Sequence, residues 1–386
     1  MPRIAPSSAG ELADALAAGA SKNRTINLVG RNSKCLMAGP VGSADVEIST
    51  AGLQRVLQYE PNDLTISVEA GMPFRDLQRL LGENRQMVAL DPPFAAEATI
   101  GGTVAANLSG PLRRGFGTAR DLIIGMTFAT LEGKLIKTGG MVVKNVAGLD
   151  MAKIVIGSFG TLAAMTSINF RVHSLPEQTR TFLFAYAELE SVLTKRHAVL
   201  GSVLQPMAVD LLSPETATRL ERRGYLLAIR AGGSTAVLDR YQRDLTGSEL
   251  LDGNAEHEFW GQVRDFTPSY LRREPDGVVL RISTTLSEML PLLRVVTGPS
   301  ISRAGSGVTY AYFSSWRDAQ RIWELAAERN WQSVIEFAPD VVRAAEELWR
   351  VGSSSAEQNG FAIMKNIKQM FDPHILLNRS RLYGRL

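Results

Sequence analysis

The chain has 386 residues, of which 45% are hydrophobic and 21% charged, and its formal net charge is +3. This length predicts about two domains, and the composition is typical of a soluble globular protein. The small positive charge gives little attraction for nucleic acid, and no apolar run reaches the ~20 residues of a membrane helix. We therefore expect neither a nucleic-acid partner nor a transmembrane segment.

The N-terminal residues predict a cytoplasmic protein, and the cysteine content limits the cofactors that this chain can hold. The first residues lack the continuous apolar segment of a secretory signal and instead predict a capped helix that begins near Ser8. The single cysteine, Cys35, excludes an internal disulfide and any iron–sulfur cluster held by several thiolates of this chain. We expect Cys35 itself to be a packed side chain.

The first part of the chain alternates helical and extended patterns, which is typical of an α+β fold. Apolar spacing predicts helices over 10–19 and 73–81, the second with Pro73 at its start. Predicted strands cover residues 25–29, 46–49, 64–69 and 167–173. A hairpin is predicted from 121–131 and 134–138, because Glu132 and Gly133 between them form a turn signal.

A polar segment, 176–180, separates this part from a second block, and we place the main domain boundary there. Strands and helices alternate in the second block, which favours an antiparallel sheet backed by helices. The predicted strands cover 181–187, 224–230, 277–284 and 307–314, and the predicted helices cover 235–245 and 318–330. The loop 352–360 is predicted to be a second linker. The resulting domains are 1–176 and 177–352, with a C-terminal segment 353–386.

The segment from Ala98 to Pro111, ATIGGTVAANLSGP, carries the clearest signal for a ligand. Gly101 and Gly102 precede small side chains, so the backbone can approach a ligand closely and free N–H groups can point at phosphate oxygens. The run MVVKNVAGLD, which ends at Asp150, follows with further polar and glycine residues. Together these segments predict a cradle for a large phosphorylated cofactor. A tight turn before a packed helix is the alternative for the glycine pair.

Several longer motifs occur in an order and spacing that is similar to that of a known family. They are PNDLTISVEAGMPFRDL, ATIGGTVAANLSGPLRRGFGTARDLIIG, GGMVVKNVAGLD, IGSFGTL, FWGQVRD and the closing IKQMFDPHILLNRSRLY. On these residues the chain resembles the E subunits of bacterial glycolate oxidases, flavoproteins that share the PCMH-type FAD-binding domain of the vanillyl-alcohol oxidases. The resemblance covers nearly the whole chain. It implies FAD between two α+β subdomains, and an α/β cap domain with an antiparallel sheet over the flavin ring.

The resemblance also implies which segments hold FAD. The loop 30–34 corresponds to the pyrophosphate loop, and the segment 92–110 corresponds to the ribityl and flavin side. The segment 144–150 lies near the flavin and the adenosine half, and 157–162 runs beside the adenine. The implied FAD-binding residues are Gly30, Arg31, Asn32, Ser33, Lys34, Pro92, Pro93, Thr99, Gly101, Gly102, Asn107, Ser109, Gly110, Lys144, Asn145, Gly148, Leu149, Asp150, Gly160, Thr161 and Asn378.

Some positions depart from the family pattern. Arg31 and Asn32 stand where many relatives have glycine, but asparagine tolerates a left-handed backbone and Arg31 can point outward. Ala163 replaces another glycine and narrows the adenine site slightly. Arg379-Ser380 replace the usual Pro-Gly, so the final turn must differ from that of the relatives. The alternative for the loop 30–34 is an ordinary surface turn.

The resemblance also bears on how FAD is attached and on which residue would stabilise its negative charge. Covalent members of the family often use a histidine in the pyrophosphate loop, yet no histidine precedes His173 in this chain. We therefore predict non-covalent FAD. Lys144 is suited to stabilise negative charge at the reduced ring or at the pyrophosphate, and a solvated surface lysine is the alternative.

Candidate catalytic residues are few. Related D-2-hydroxy-acid dehydrogenases use a clustered HxGDGNxH-type metal motif, whereas the histidines of this chain are scattered, so we expect them to be structural. These histidines are His173, His197, His257 and His374. In the cap domain, Arg281, Arg303 and Tyr310 are candidate clamps for a substrate carboxylate. We assign no catalytic residue and no metal site.

The resemblance implies the FAD-binding subunit of a complex that oxidises glycolate, a small hydroxy acid, to glyoxylate. In that interpretation a sister FAD-binding 2-hydroxy-acid dehydrogenase subunit performs the substrate chemistry, an iron–sulfur subunit carries electrons onward, and this chain's flavin relays electrons. The complex would be cytoplasmic, or peripheral at the inner membrane through its partners. A self-sufficient FAD oxidoreductase of a hydroxy acid or sugar, and a scaffold without FAD, are the alternatives.

Overall fold

The computed structural model describes residues 1–142, 150–350, 352 and 354–386. Its helices are α1 Ala9–Ser21, α2 Phe74–Gly82, α3 Ile100–Ala106, α4 Arg113–Phe116, α5 Ala119–Leu122, α6 Ala152–Val155, α7 Leu189–Leu200, α8 Pro214–Arg219, α9 Thr235–Asp244, α10 Gly253–Arg264, α11 Phe266–Arg273, α12 Met289–Val295, α13 Trp316–Glu328, α14 Asp340–Ala345 and α15 Ser355–Phe371. A 3-10 turn covers Thr50–Gly52.

The strands complete the secondary structure. They are β1 Arg3–Ile4, β2 Ile26–Val29, β3 Val46–Ser49, β4 Val56–Glu60, β5 Thr65–Glu69, β6 Gln86–Met87, β7 Ile123–Ala129, β8 Leu135–Gly139, β9 Ala164–Arg171, β10 His173–Ser174, β11 Gln178–Tyr186, β12 Ala208–Leu212, β13 Tyr225–Gly233, β14 Glu249–Asp252, β15 Val278–Ser283, β16 Ser300–Arg303, β17 Val308–Phe313 and β18 Gln332–Phe337.

The described residues divide into two units. The first unit contains Met1–Ser109, Gly117–Leu175 and Arg343–Leu386, and the second contains Gly110–Phe116 and Pro176–Val342. Gly110 therefore packs with the second unit. No helix among the described residues is both long and apolar enough to cross a membrane.

A small parallel sheet forms one part of the first unit, in the order β1-β3-β2. Helix α1 begins as predicted, because the Ser8 hydroxyl accepts a hydrogen bond from the Glu11 amide at 3.2 Å. Leu12 and Leu16 of this helix are fully buried in a core shared with Ile48 of β3. The core holds β2 in place, and the loop 30–34 follows directly from that strand.

A second, antiparallel sheet of the first unit has the order β4-β5-β9-β7-β8. The predicted hairpin is confirmed, since β7 pairs with β8 from Gly125 opposite Gly139 to Ala129 opposite Leu135. Strand β5 is buried along its whole length, and directly after it the Ala70 carbonyl accepts a hydrogen bond from the Gly101 amide of α3 at 2.7 Å. These two sheets give the first unit the α+β architecture expected of it.

The second unit is built on an antiparallel sheet in the order β14-β11-β13-β12-β16-β17-β15-β18. Helices pack on it, and buried side chains of α7 and α9 form a core with the apolar residues of β11 and β13. The expected antiparallel sheet with helices is therefore confirmed. The strands β12 and β16, which were not predicted, lie at its centre and pair with each other.

The predicted linker 352–360 is wrong from Ser355 onward, where α15 begins. The Ser354 hydroxyl accepts a hydrogen bond from the Glu357 amide at 3.3 Å, and the Glu357 carboxylate accepts one from the same hydroxyl at 2.5 Å. The run of serines that indicated a flexible segment is thus the cap of a helix.

Candidate functional site

A cleft opens in the first unit at the end of β2. We call it the β2 cleft. Its lining includes the predicted residues Gly30, Arg31, Asn32, Ser33, Lys34, Thr99, Gly102 and Asn378. The remaining lining comes from Asn27, Leu28, Val29, Val41, Ala105, Ala106, Phe159 and Arg381. Residues that are far apart in sequence therefore meet at one site.

The loop after β2 provides hydrogen-bond donors to the cleft. Asn32 adopts a φ of 56°, the left-handed conformation expected where relatives have glycine, and Arg31 is exposed. Within the part of the chain that the structure describes, the backbone N–H groups of Arg31, Asn32 and Ser33 meet no protein acceptor. Successive unpaired N–H groups of this kind bind anions.

Of the two adjacent glycines, Gly102 leaves space in the site. The prediction that their backbone N–H groups are free to bind a ligand is wrong. The Gly101 amide donates to the Ala70 carbonyl at 2.7 Å, and the Gly102 amide donates to the Thr99 hydroxyl at 3.1 Å. Gly102 faces the β2 cleft. Gly101 instead packs closely on Ala70, where an added Cβ would lie 2.9 Å from the Ala70 carbonyl oxygen.

Lys34 supplies a buried cation to the cleft. The residue is 9% exposed, and its ammonium lies 3.4 Å from the Ser33 hydroxyl. Burial lowers the pKa of Lys34 to about 8, against the opposing effect of the Glu97 charge. At neutral pH the ammonium is still largely protonated, and a phosphate in the cleft would offset the loss of hydration.

Asn378 joins three distant segments at the wall of the cleft. Its Oδ1 accepts a hydrogen bond from the Leu28 amide at 2.6 Å, and its Nδ2 donates to the Leu28 carbonyl at 3.2 Å and to the Phe159 carbonyl at 2.8 Å. The side chain thus continues the hydrogen bonding of β2 into the C-terminal segment. This position explains how the closing segment takes part in the site.

Arg381 holds the loop of the β2 cleft in place and was not identified from the sequence. Its guanidinium donates to the Lys34 carbonyl at 2.9 Å and also bonds the carbonyls of Met37 and Gly39. Gly39 passes so close to the backbone of Ser380 that an added Cβ would overlap its carbonyl. The signal that could have indicated it is the cluster of arginines in the closing RSRLYGR.

The other predicted FAD-binding residues lie outside the lining of the β2 cleft. Asn107 ends α3 with a φ of 48°, and Asp150 is exposed, 3.8 Å from the Lys153 ammonium. Thr161 and Gly160 are buried beside the closing segment. Also outside the lining are Pro92, Pro93, Gly101, Ser109 and Gly110. Lys144, Asn145, Gly148 and Leu149 fall outside the described residues.

In the second unit, the arginines predicted to clamp a carboxylate are already bonded to acids. Arg303 is hydrogen-bonded to Asp210, and Arg281 donates from Nε to Glu336 at 2.9 Å. Both acids are almost fully buried. Burial raises the pKa of Asp210, and the Arg303 charge opposes this shift.

Tyr310 completes this group on the sheet of the second unit. The Arg303 guanidinium lies 5.7 Å from the centre of the Tyr310 ring. Burial, and then the charge of Glu336, raise the pKa of the Tyr310 hydroxyl, so it remains neutral at physiological pH.

The chemistry of the β2 cleft fits a dinucleotide. The unpaired N–H groups and the Lys34 ammonium suit a pyrophosphate, and Phe159 with Ala105 and Ala106 suits an apolar moiety. The space left by Gly102 lets such a ligand lie close to the start of α3.

Comparison with known proteins agrees with this assignment. Residues 3–139 match the model of a family described as "FAD binding domain". The chain is 26% identical to glycolate oxidase subunit GlcE of Escherichia coli, and the match covers 92% of each chain. It is 26% identical to glycolate oxidase subunit GlcD of Bacillus subtilis over 86% of this chain and 78% of the relative. A D-2-hydroxyglutarate dehydrogenase of Xanthomonas citri is 23% identical over 90% of this chain and 82% of its own length.

Solved structures show the same fold. An alkyldihydroxyacetonephosphate synthase superposes with a TM-score of 0.73 at 16% identity, over 97% of this chain and 75% of the other. The 4-ethylphenol oxidase from Gulosibacter chungangensis superposes with a TM-score of 0.75 at 11% identity, over 98% of this chain and 88% of the other. The family match and the similarity to a glycolate oxidase subunit support FAD as the cofactor. Residues 3–139 of this chain thus match an FAD binding domain, and the whole chain is similar to a glycolate oxidase subunit.

Proposed function

We propose that the chain is the FAD-binding subunit of a complex that oxidises glycolate, or a closely similar 2-hydroxy acid, to the corresponding 2-oxo acid. The chain is an FAD-dependent oxidoreductase, and its similarity to a protein named as a glycolate oxidase subunit extends over 92% of both chains. The whole-length match supports the subunit role, because it includes the second unit and the closing segment as well as the FAD binding domain.

The β2 cleft would hold FAD without a covalent bond. Lys34 and the N–H groups of residues 31–33 would bind the pyrophosphate, while Asn378 and Arg381 keep the surrounding loops in register. When bound, FAD supplies an acceptor for the hydride of a 2-hydroxy acid or for electrons from another carrier. The residues of the cleft bind and orient the cofactor.

The electron-relay role rests on one observation: Arg281 and Arg303 each form an ion pair with a buried acid. A substrate carboxylate needs a cation, whereas each of these arginines already bonds a buried acid, so each pair contributes little net charge. This supports a division of labour in which a sister FAD-binding chain oxidises the hydroxy acid, an iron–sulfur chain accepts the electrons, and this chain's flavin lies between them. The complex would be cytoplasmic, or held at the inner membrane by a partner.

An activity assay of the isolated chain tests this division. We expect purified protein to show flavin absorbance but little turnover of glycolate or D-lactate with an artificial dye, and we expect turnover to appear when the partner chains are present. Robust turnover by the chain alone would reject the relay. It would instead favour a self-sufficient hydroxy-acid oxidoreductase, which the similarity to a D-2-hydroxyglutarate dehydrogenase over most of the chain supports.

The role of Lys34 can be tested through pH. We expect Lys34→Met to weaken FAD binding by about 10- to 150-fold at pH 7, since a charge-assisted hydrogen bond contributes about 1.5–3 kcal/mol. Because burial lowers the Lys34 pKa to about 8, the FAD affinity of the wild-type protein should fall as the pH rises through 8. The variant should lack this dependence. Fluorescence titration of the apoprotein with FAD measures both.

The stability of the apoprotein should respond to pH in the opposite sense. The folded protein binds fewer protons at Lys34 than the unfolded chain between about pH 8 and the ordinary lysine pKa of 10.5, so stability should rise with pH across this window. Lys22→Met, which removes an exposed lysine, is the matched control and should change neither the FAD affinity nor its pH profile. If the FAD affinities of wild type and Lys34→Met changed with pH in the same way, the assignment of Lys34 to the pyrophosphate would be contradicted.

A further inference from the structure

Phe159 has a backbone conformation that its own side chain disfavours. Its φ is 53°, in the left-handed region, and it lies between Gly157 and Gly160, whose φ values are 80° and 69°. Two hydrogen bonds hold it there, since its amide donates to the Ala105 carbonyl at 2.9 Å and its carbonyl accepts from Asn378 Nδ2 at 2.8 Å. A glycine would form the same backbone bonds without the steric cost, so the reason for phenylalanine lies in its ring.

The Phe159 ring is supported from within the first unit and reaches the β2 cleft. The Tyr383 ring packs against it edge to face, with ring centres 5.5 Å apart and planes at 78°. Tyr383 in turn contacts Trp349, with ring centres 6.4 Å apart. The Arg381 guanidinium carbon lies 6.0 Å from the centre of the Phe159 ring. Phe159 is nevertheless only half-buried and lines the cleft, so it offers a fixed aromatic surface on which a planar group can stack.

The charged groups that line the β2 cleft are all positive. They are Arg31, Lys34 and Arg381, and no described lining residue is an acid. The Arg31 side chain is exposed and forms neither an ion pair nor a hydrogen bond with any described residue. The backbone N–H groups of residues 31–33 add donors beside these cations. Cations and N–H groups together suit a diphosphate.

The aromatic surface and the diphosphate donors therefore lie in one cleft of the first unit. In an adenine nucleotide only a ribose separates the base from the phosphates. In FAD the longer ribityl chain separates the isoalloxazine ring from the same phosphates. A planar group that stacks on Phe159 beside the bound diphosphate is therefore the adenine.

We propose that Phe159 is the stacking platform for the adenine of FAD, and that the β2 cleft therefore binds free ADP without any contact to a flavin ring. This inference rests on the FAD site of the proposed function. ADP carries both groups that the cleft recognises, whereas inorganic pyrophosphate lacks the base and FMN lacks the diphosphate. ADP then competes with FAD for the apoprotein, and FAD loading depends on the ratio of free FAD to free adenine nucleotide.

Calorimetric titration of the apoprotein in magnesium-free buffer tests the ligand. We expect ADP to bind, to compete with FAD, and to bind about 5- to 150-fold more tightly than inorganic pyrophosphate, because stacking of a base on an aromatic ring contributes about 1–3 kcal/mol. FMN should bind more weakly than ADP. Lys34→Met should weaken the binding of ADP and of pyrophosphate alike, since both carry the diphosphate.

Variants of Phe159 separate the base from the diphosphate. Phe159→Leu should weaken the binding of ADP and FAD by about 5- to 150-fold and leave pyrophosphate binding unchanged, whereas Phe159→Tyr should bind ADP nearly as the wild type does. Phe361→Leu is the matched control. Phe361 is also half-buried, packs edge to face on Trp349 with ring centres 5.9 Å apart, and has the Arg385 guanidinium 5.8 Å from its ring centre. It lies outside the cleft lining, so its loss should leave ADP affinity unchanged.

The NMR spectrum of bound ADP distinguishes stacking from a structural role of Phe159. The adenine C–H protons should shift upfield on binding to the wild type, because the Phe159 ring lies over the base, and Phe159→Leu should abolish this shift. Unchanged ADP affinity in Phe159→Leu, equal losses in Phe159→Leu and Phe361→Leu, or ADP that binds no more tightly than pyrophosphate would overturn the proposal. If the wild type binds FAD but not ADP, the proposal fails and the FAD site stands. If it binds neither, the assignment of the β2 cleft to FAD fails as well.

Discussion

Replacing Lys368 with methionine is expected to lower the free energy of unfolding by about 3–5 kcal/mol, the cost of breaking a buried ion pair from one side. The Lys368 ammonium lies 2.6 Å from Asp372 Oδ2 and donates to the carbonyls of Thr161 at 2.7 Å and Leu377 at 3.1 Å. Burial lowers the pKa of Lys368, and the bond to Asp372 opposes that shift. Removing the ammonium leaves a fully buried carboxylate with no cation, held only by the Leu376 and Leu377 amides, and it leaves two carbonyls without this donor.

Urea unfolding of the apoprotein, followed by circular dichroism, measures this effect. Lys365→Met on the same helix is the control, because Lys365 is exposed and contacts only the face of the Phe361 ring, at 4.7 Å. Its loss should cost less than about 1 kcal/mol. The double variant K368M/D372N should recover part of the lost stability, since it removes the unpaired charge and keeps an oxygen that can accept from the Leu376 or Leu377 amide. Similar free energies of unfolding for Lys368→Met and Lys365→Met would show that the buried bonds of Lys368 contribute little to stability.

The two adjacent glycines of α3 are expected to respond to substitution in opposite ways. Gly102→Leu should weaken FAD binding by at least about 100-fold, equivalent to about 2.7 kcal/mol, because the new side chain occupies the β2 cleft. Its Cβ would meet only the Thr99 hydroxyl, at 3.1 Å, so the fold should persist. Gly101→Ala should instead destabilise the protein by about 1–3 kcal/mol, because its Cβ meets the Ala70 backbone.

FAD titration and thermal unfolding of the apoproteins distinguish the two variants. The expected pattern is lost FAD affinity with retained stability for Gly102→Leu, and lost stability for Gly101→Ala. FAD binding by Gly102→Leu as tight as that of wild type would show that the cofactor does not use the space beside Gly102. A lower Tm for both variants would mean that both glycines serve packing alone.

Local patterns were sufficient to predict most of the fold. The Ser8 cap with its helix, the hairpin of β7 and β8, and the strands β11, β13, β15 and β17 each carry their signal within a few consecutive residues. The unpredicted strand β16 contains alternating serines that are buried only because neighbouring strands bond them, as Ser302 and Thr309 do at 2.8 Å. Such burial depends on tertiary pairing and leaves little trace in composition.

The site was harder to predict than the fold because its chemistry depends on partners distant in sequence. The pattern around Gly101 and Gly102 indicated donors for phosphate, yet Ala70 and Thr99 accept those hydrogen bonds. The N–H groups of residues 31–33 instead meet no acceptor among the described residues. Nothing in the sequence around Arg281 and Arg303 indicated which acids pair with them. A motif identifies which residues are near a ligand, whereas the fold decides which of their polar groups are available.

The bond between Leu28 and Asn378 has a consequence for the biogenesis of the protein. The two residues are 350 positions apart, so at a synthesis rate of about 5–20 residues per second Asn378 is translated roughly 18–70 s after β2. During that interval the nascent chain has the loop 30–34, the proposed site of the pyrophosphate, but neither Asn378 nor Arg381 to support it. We expect FAD capture to follow release from the ribosome, so that the supply of free FAD at that moment governs how much holoprotein a cell obtains.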